Sequence, residues 1–117
     1  MAVPVIPVDA NENPYGAANP QAVSYPSVTY TSRSGTITLG GTAQTLMAAN
    51  TSRRGFWLQN QSSGDLWISS VGTAAATQPS LWIPAGSYYE APAHGVPTAA
   101  ISIYGATTAQ AFAAREW

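Results

Sequence analysis

The sequence predicts an all-β protein: an eight-stranded, jelly-roll-like β-sandwich over residues 34–117, preceded by an extended, proline-rich amino-terminal arm over residues 1–33. Three observations carry this. From Ser34 onward, short runs of β-favouring residues recur at nearly even spacing between Gly, Pro, Ser and Asn clusters. Five of the nine prolines fall within the first 26 residues. A triplet with Trp at its centre, flanked by Leu, Ile or Phe, occurs three times.

Taken in order, the arm holds Pro4, Pro7, Pro14, Pro20 and Pro26. Each fixes φ and removes a backbone donor, which rules out a regular helix or a central strand there. Its Val3, Val5, Ile6, Val8, Tyr15, Val23, Tyr25, Val28 and Tyr30 are more apolar and aromatic than disordered segments usually are, so the arm is expected to order on assembly. The strands expected after it are Gly35 to Leu39, Thr42 to Met47, Arg54 to Asn60, Leu66 to Val71, Ser80 to Ile83, Ser87 to Ala91, Ala99 to Tyr104 and Gln110 to Trp117. Gly40-Gly41 can supply a two-residue hairpin and Ser62-Ser63-Gly64-Asp65 a longer one. Pro84-Ala85-Gly86 reads as a type I turn, with Pro second and Gly fourth. The Ala-rich stretch Thr108 to Arg115 has helical propensity, but Phe112 alone gives a helix too small an apolar face to dock.

Side chains alternate between the faces of a strand. In Phe56-Trp57-Leu58, Leu66-Trp67-Ile68 and Leu81-Trp82-Ile83 the flanking residues share one phase and the Trp takes the other. Phe56, Leu58, Leu66, Ile68, Leu81 and Ile83, with Ile37, Leu39, Ile101 and Ile103, are therefore the expected core. Trp57, Trp67 and Trp82 face outward and, if their strands are neighbours, form one apolar patch larger than monomers usually expose. Together with Tyr15, Tyr25 and Tyr30 of the arm, they are the candidate protein-interface residues, since aromatic anchors dominate binding hot spots. A carbohydrate platform is the alternative use of such a face, with Gln59, Asn60, Gln61 and Asp65 fixing hydroxyls.

Composition points the same way. Charged residues make up 8% of the 117 residues, lysine is absent, and the net charge is −1, against about 25% charged residues in ordinary soluble domains. So little charge suits a surface that neighbours will cover, and it provides no basic field for nucleic acid or anionic lipid. With no cysteine there is no disulfide or thiolate chemistry. Residues Met1 to Val8 are apolar without a basic start or a long uninterrupted run, unlike a secretory signal or a spanning helix. Asn50-Thr51-Ser52 and Asn60-Gln61-Ser62 match the glycosylation acceptor pattern by chance.

No active site is legible. His94 is the only histidine, too few for an imidazole and thiolate metal site. Asp9-Ala10-Asn11-Glu12-Asn13 opens like a calcium loop, but Pro14 stands where that loop needs Gly and Pro20 where it needs its closing Glu. A triad would need His94 oriented by Glu90 across Pro92, with no motif marking a nucleophile. The expectation is a protein that is not an enzyme and takes no cofactor or metal.

From Ser52 to Trp117 the sequence resembles small bacteriophage virion proteins, especially the jelly-roll decoration, cement or staple proteins of short-tailed phages. The resemblance lies in ordered phrases: Arg53-Arg54 before a strand ending Leu58-Gln59-Asn60-Gln61-Ser62; Leu66-Trp67-Ile68; Gly72-Thr73-Ala74-Ala75-Ala76; Pro84-Ala85-Gly86-Ser87-Tyr88; and Val96-Pro97-Thr98 leading into Ala100-Ile101-Ser102-Ile103-Tyr104-Gly105. The arm has no counterpart in it. The resemblance implies a virion component on the exterior of the capsid, with the major capsid protein and further copies of itself, as dimer or trimer, for partners. Similar domains occur in head fibres and in neck or tail parts, which share the same expectation of a structural role.

Overall fold

A computed structural model describes residues 27–117. Those residues form nine strands and no helix: β1 Thr31–Ser32, β2 Gly35–Thr36, β3 Gln44–Met47, β4 Phe56–Asn60, β5 Leu66–Ser69, β6 Leu81–Ile83, β7 Tyr88–Glu90, β8 Ile101–Gly105 and β9 Ala111–Glu116. They make two antiparallel sheets packed as a sandwich. One has the order β1-β9-β4-β7 with β2 also on β9, and the other has the order β3-β8-β5-β6. Each of the eight expected strands overlaps one of β2 to β9; seven contain it, and β8 runs one residue past the expected Tyr104. The addition is β1, which lies in residues assigned to the arm. It pairs Thr31 with Glu116 and Ser32 with Arg115. Between β1 and β2 the Ser34 hydroxyl donates to Ala114 O at 3.3 Å and accepts from Ala114 N at 3.0 Å, so a side chain carries the ladder across the break.

The turns differ from expectation because consecutive strands often change sheet. β2 and β3 lie in different sheets, so Gly40-Gly41 makes a corner, not a hairpin. Thr42 N donates to Leu39 O at 3.2 Å, and Gly41 holds φ +83°, the left-handed value a type II turn needs at its third position. β4 and β5 also lie in different sheets, and Ser62 to Asp65 joins them as a second corner. The turn after β6 starts one residue later than expected: Ser87 N donates to Pro84 O at 2.9 Å. Gly86 therefore sits third with φ +77°, giving type II geometry instead of type I.

The core between the sheets contains Ile37, Phe56, Leu58, Leu66, Ile68, Ile83, Ile101 and Ile103, as the strand phase predicts. Leu46 and Met47 are both buried because the β3–β8 register shifts between Thr45 and Met47, and a bulge turns consecutive residues inward. Two expected core residues are not buried. Leu39 is 60% exposed at the start of its corner, where β2 has already ended. Leu81 keeps the inward phase opposite Ile68 but is 46% exposed, because β6 is an edge strand and Leu81 lines an apolar cleft of 270 Å³ with Phe56, Ile68 and Tyr89.

Polar clamps hold both ends of the sandwich. At one end Glu116 is 3% exposed and Arg53 is 4% exposed. Glu116 Oε1 accepts from Asn50 Nδ2 at 2.7 Å and Oε2 from Arg33 Nε at 2.8 Å. Arg53 Nε lies 3.5 Å from Oε1, and the rest of its guanidinium donates to Pro97 O, Ala99 O and Ala48 O. At the other end Asn60, fully buried, donates to Gly64 O at 2.7 Å and Ile83 O at 2.8 Å, and accepts from Ser62. Gln110 ties Asp65 O and Thr107 N to it. The two asparagines of the chance glycosylation patterns are thus internal staples.

Burial pushes the Glu116 carboxyl up, but the hydrogen bonds from Asn50 and Arg33 and the charges of Arg53 and Arg33 outweigh it, leaving the pKa below its ordinary 4.5. The unfolded chain therefore takes up this proton more readily than the folded one. Its contribution is complete above the ordinary value and is lost as pH falls through the depressed one. Urea titrations should show stability falling below about pH 4.5, with a shallower fall in Glu116→Gln; equal slopes would remove Glu116 from the acid transition. Arg53→Met at neutral pH should cost about 3–5 kcal/mol, because it removes one of the two cations beside the buried Glu116 and leaves Pro97 O, Ala99 O and Ala48 O without their donor.

Candidate protein-interaction faces

The outer surfaces of the two sheets carry the candidate site residues, and the strand register decides which of them meet. In the β3-β8-β5-β6 sheet, Trp67 pairs with Trp82 on one side and Tyr104 on the other. The rings of Trp67 and Trp82 stack at 6.3 Å and 25°. Trp82, on the edge strand, is 57% exposed, while Trp67 and Tyr104 are half-buried. None of the four strands of this sheet contains a charged residue. The segment after β5 packs on part of the face: Ala74 N donates to Ser102 Oγ at 2.9 Å and Ala75 N to Ser80 Oγ at 3.0 Å, which buries Ala74 and leaves the aromatic end open.

Trp57 does not join this patch. Its strand, β4, lies in the other sheet, so the third Trp sits on the opposite outer face and the single three-tryptophan patch does not form. There Trp57 lies between Arg115 and Glu90 in register. Arg115 Cζ is 4.6 Å from the Trp57 ring centroid and 5.2 Å from that of Tyr30. Tyr30 meets Trp117 edge-on at 5.2 Å, and Tyr88 tilts against Trp57 at 6.0 Å. Burial raises the Tyr88 phenol pKa first, with the neighbouring Glu90 adding to it. Tyr15 and Tyr25, like the Asp9 to Asn13 segment, lie outside the described residues.

The side chains expected to fix sugar hydroxyls are scattered. Asn60 is spent on internal bonds, Gln59 lies on the Trp57 face, and Asp65 is exposed at a corner. His94 is exposed in a turn closed by Gly95 N to Pro92 O at 3.0 Å. An open recess of 580 Å³ beside β3 and β8 is lined by Gln44, Thr45, Ser70 and Ser102 among others, with no ionisable side chain. Sequence reasoning missed Tyr104, Tyr88, Arg115 and Trp117. Tyr104 and Arg115 were accessible from phase alone, being one residue out of step with Ile103 and Ala114. Replacing the exposed Trp82 with Ser should change unfolding free energy by no more than about 0.5 kcal/mol, against about 2–5 kcal/mol for Leu66→Ala in the core, both read by urea denaturation.

Comparison of the chain with known protein families, with curated proteins and with solved structures finds no match in any of the three.

Proposed function

We propose that the chain is a bacteriophage virion structural protein, a decoration or cement protein that binds the outer surface of the head and stabilises contacts between major capsid protein subunits. The observation that carries this reading is the Trp67–Trp82 stack with Tyr104 beside it, an aromatic patch on a sheet without charge. Such a surface gains more from a protein partner than from water, and aromatic anchors of this kind carry most of the energy of binding hot spots.

Strand order supports the jelly-roll reading that accompanies it. With β1 and β2 counted as one interrupted strand, the first strand pairs with the last, the second with the seventh, the third with the sixth and the fourth with the fifth. A long hairpin rolled on itself gives this nesting, as in double-sheet capsid domains. The phrases from Ser52 to Trp117 point to the same class. Binding the assembled shell, and not its separated subunits, stabilises it by mass action.

The test uses particles of the encoding phage stripped of this chain and then titrated with it. Trp67→Ser and Trp82→Ser should each lower affinity for the particle by about thirtyfold, the effect of a hot spot near 2 kcal/mol, while the folded fraction stays unchanged. Unchanged occupancy would reject this face as the attachment surface. Loss of saccharide binding with occupancy intact would instead favour a carbohydrate platform.

A further inference from the structure

One sheet ends on β1–β2 and on β7, the other on β3 and on β6. A bare sheet edge is a template for a further strand, and proteins blunt their edges with charges, bulges or breaks. Three of these edges carry such a device. β1–β2 is broken at Arg33 and Ser34, the β3 register shifts between Thr45 and Met47, and β7 ends on the exposed Glu90. The remaining edge, β6, is Leu81-Trp82-Ile83, with no charge, no bulge and no break. Leu81 and Trp82 are exposed. Apart from the ladder to β5, the one backbone group of β6 with a hydrogen bond among the described residues is Ile83 O, which accepts from Asn60 Nδ2 at 2.8 Å.

What such an edge can accept is decided by its charge and its register. Val71 and Leu81 stand exposed on the apolar cleft beside β6, and no charged side chain lines that cleft. An edge that meets a copy of itself sets every charge near its like, which destabilises a strand pair; this edge has none to oppose. Its register is also self-complementary. Turned antiparallel about Trp82, a second copy sets its Ile83 opposite Leu81, both in the inward phase, and its Trp82 opposite Trp82, both outward. Pro84 limits the ladder to three residues. Covering Val71, Leu81 and Trp82 on both copies removes about 500–600 Å² of apolar surface. The strand backbone and the uncharged rim of Ser70, Pro79 and Ser80 bring the contact near the ~1,000 Å² at which specific interfaces begin, a size that suits micromolar association.

We propose that β6 is a dimer edge: two copies of the chain pair antiparallel through Leu81-Trp82-Ile83 about a twofold axis at Trp82, joining their four-stranded sheets into one. The Trp67–Trp82 stack then runs across the axis into the stack of the second copy, and the aromatic face is shared between two chains while staying open to a further partner. The pairing does not rest on the decoration role, since it requires no particle.

Sedimentation of the full-length chain across the micromolar range should show a monomer–dimer equilibrium. Leu81→Lys, which gives β6 the kind of charge that blunts other edges, should weaken dimerisation at least about tenfold. Thr45→Lys, exposed on the opposite edge of the same sheet, should change it less than about threefold. Cross-linking reads the register independently of either lysine. The chain has no cysteine, and residues directly opposite in an antiparallel pair have Cα atoms about 4.5–5.5 Å apart, within disulfide reach. Under mild oxidation Trp82→Cys should therefore form a covalent dimer at least about tenfold faster than Leu39→Cys, which is exposed at a corner away from β6. Equal weakening by the two lysines, or equal cross-linking at the two cysteines, overturns the proposal. A monomer at every concentration also overturns it and leaves capsid attachment standing, because attachment is judged by the occupancy of Trp67→Ser on particles.

Discussion

The carboxylate of Glu116 is buried at the end of the last strand, and much of the sandwich is arranged around it. Asn50 and Arg33 bond it directly, and Arg53 lies beside it while gathering Ala48 O from its own connection and Pro97 O and Ala99 O from the segment before β8. Glu116 and Arg53 together thus link the segment before the first corner, the β3–β4 connection, the segment leading into β8 and the closing strand. Buried charges cost several kcal/mol each in desolvation, and that cost is recovered only when geometry and hydrogen bonding are complete. Such a cluster acts as a register device: sliding β9 by one residue would send Glu116 outward and Arg115 into the core.

At the opposite end, Asn60 and Gln110 do the same work with neutral amides, fixing the β4–β5 corner to the β8–β9 connection. Both ends are tied by polar groups and the middle is filled by Ile, Leu and Phe. The two outer faces differ. One is an uncharged aromatic end built on Trp67, Trp82 and Tyr104; the other is a cation held between Trp57 and Tyr30.

How far the sequence could be read follows from the range of the interactions. Period-two alternation is local, so the eight strands and most of the core were legible, including the outward phase of all three tryptophans. Sheet membership is not local. Nothing in Phe56-Trp57-Leu58 distinguishes it from Leu66-Trp67-Ile68, yet the Ser62 to Asp65 corner sends them to different sheets and divides the expected patch. Leu39 and Leu81 obey the alternation but lie where the sheets end, a matter of packing that phase does not record. Nothing local marks Glu116 as buried, because its partners Arg33, Asn50 and Arg53 are far away in sequence. Even Thr31–Ser32 joined the sheet through a distant strand, where composition suggested only an arm.

The claim at the centre of this account is that the β3-β8-β5-β6 sheet is the attachment surface of a shell-binding protein. A cryo-electron-microscopy reconstruction of the native particle tests it most directly. The account predicts sandwich-shaped density on the outside of the head, with Trp67 and Trp82 seated against the major capsid protein. Density in which that sheet faces solvent, or a shell exterior without this chain, would contradict it.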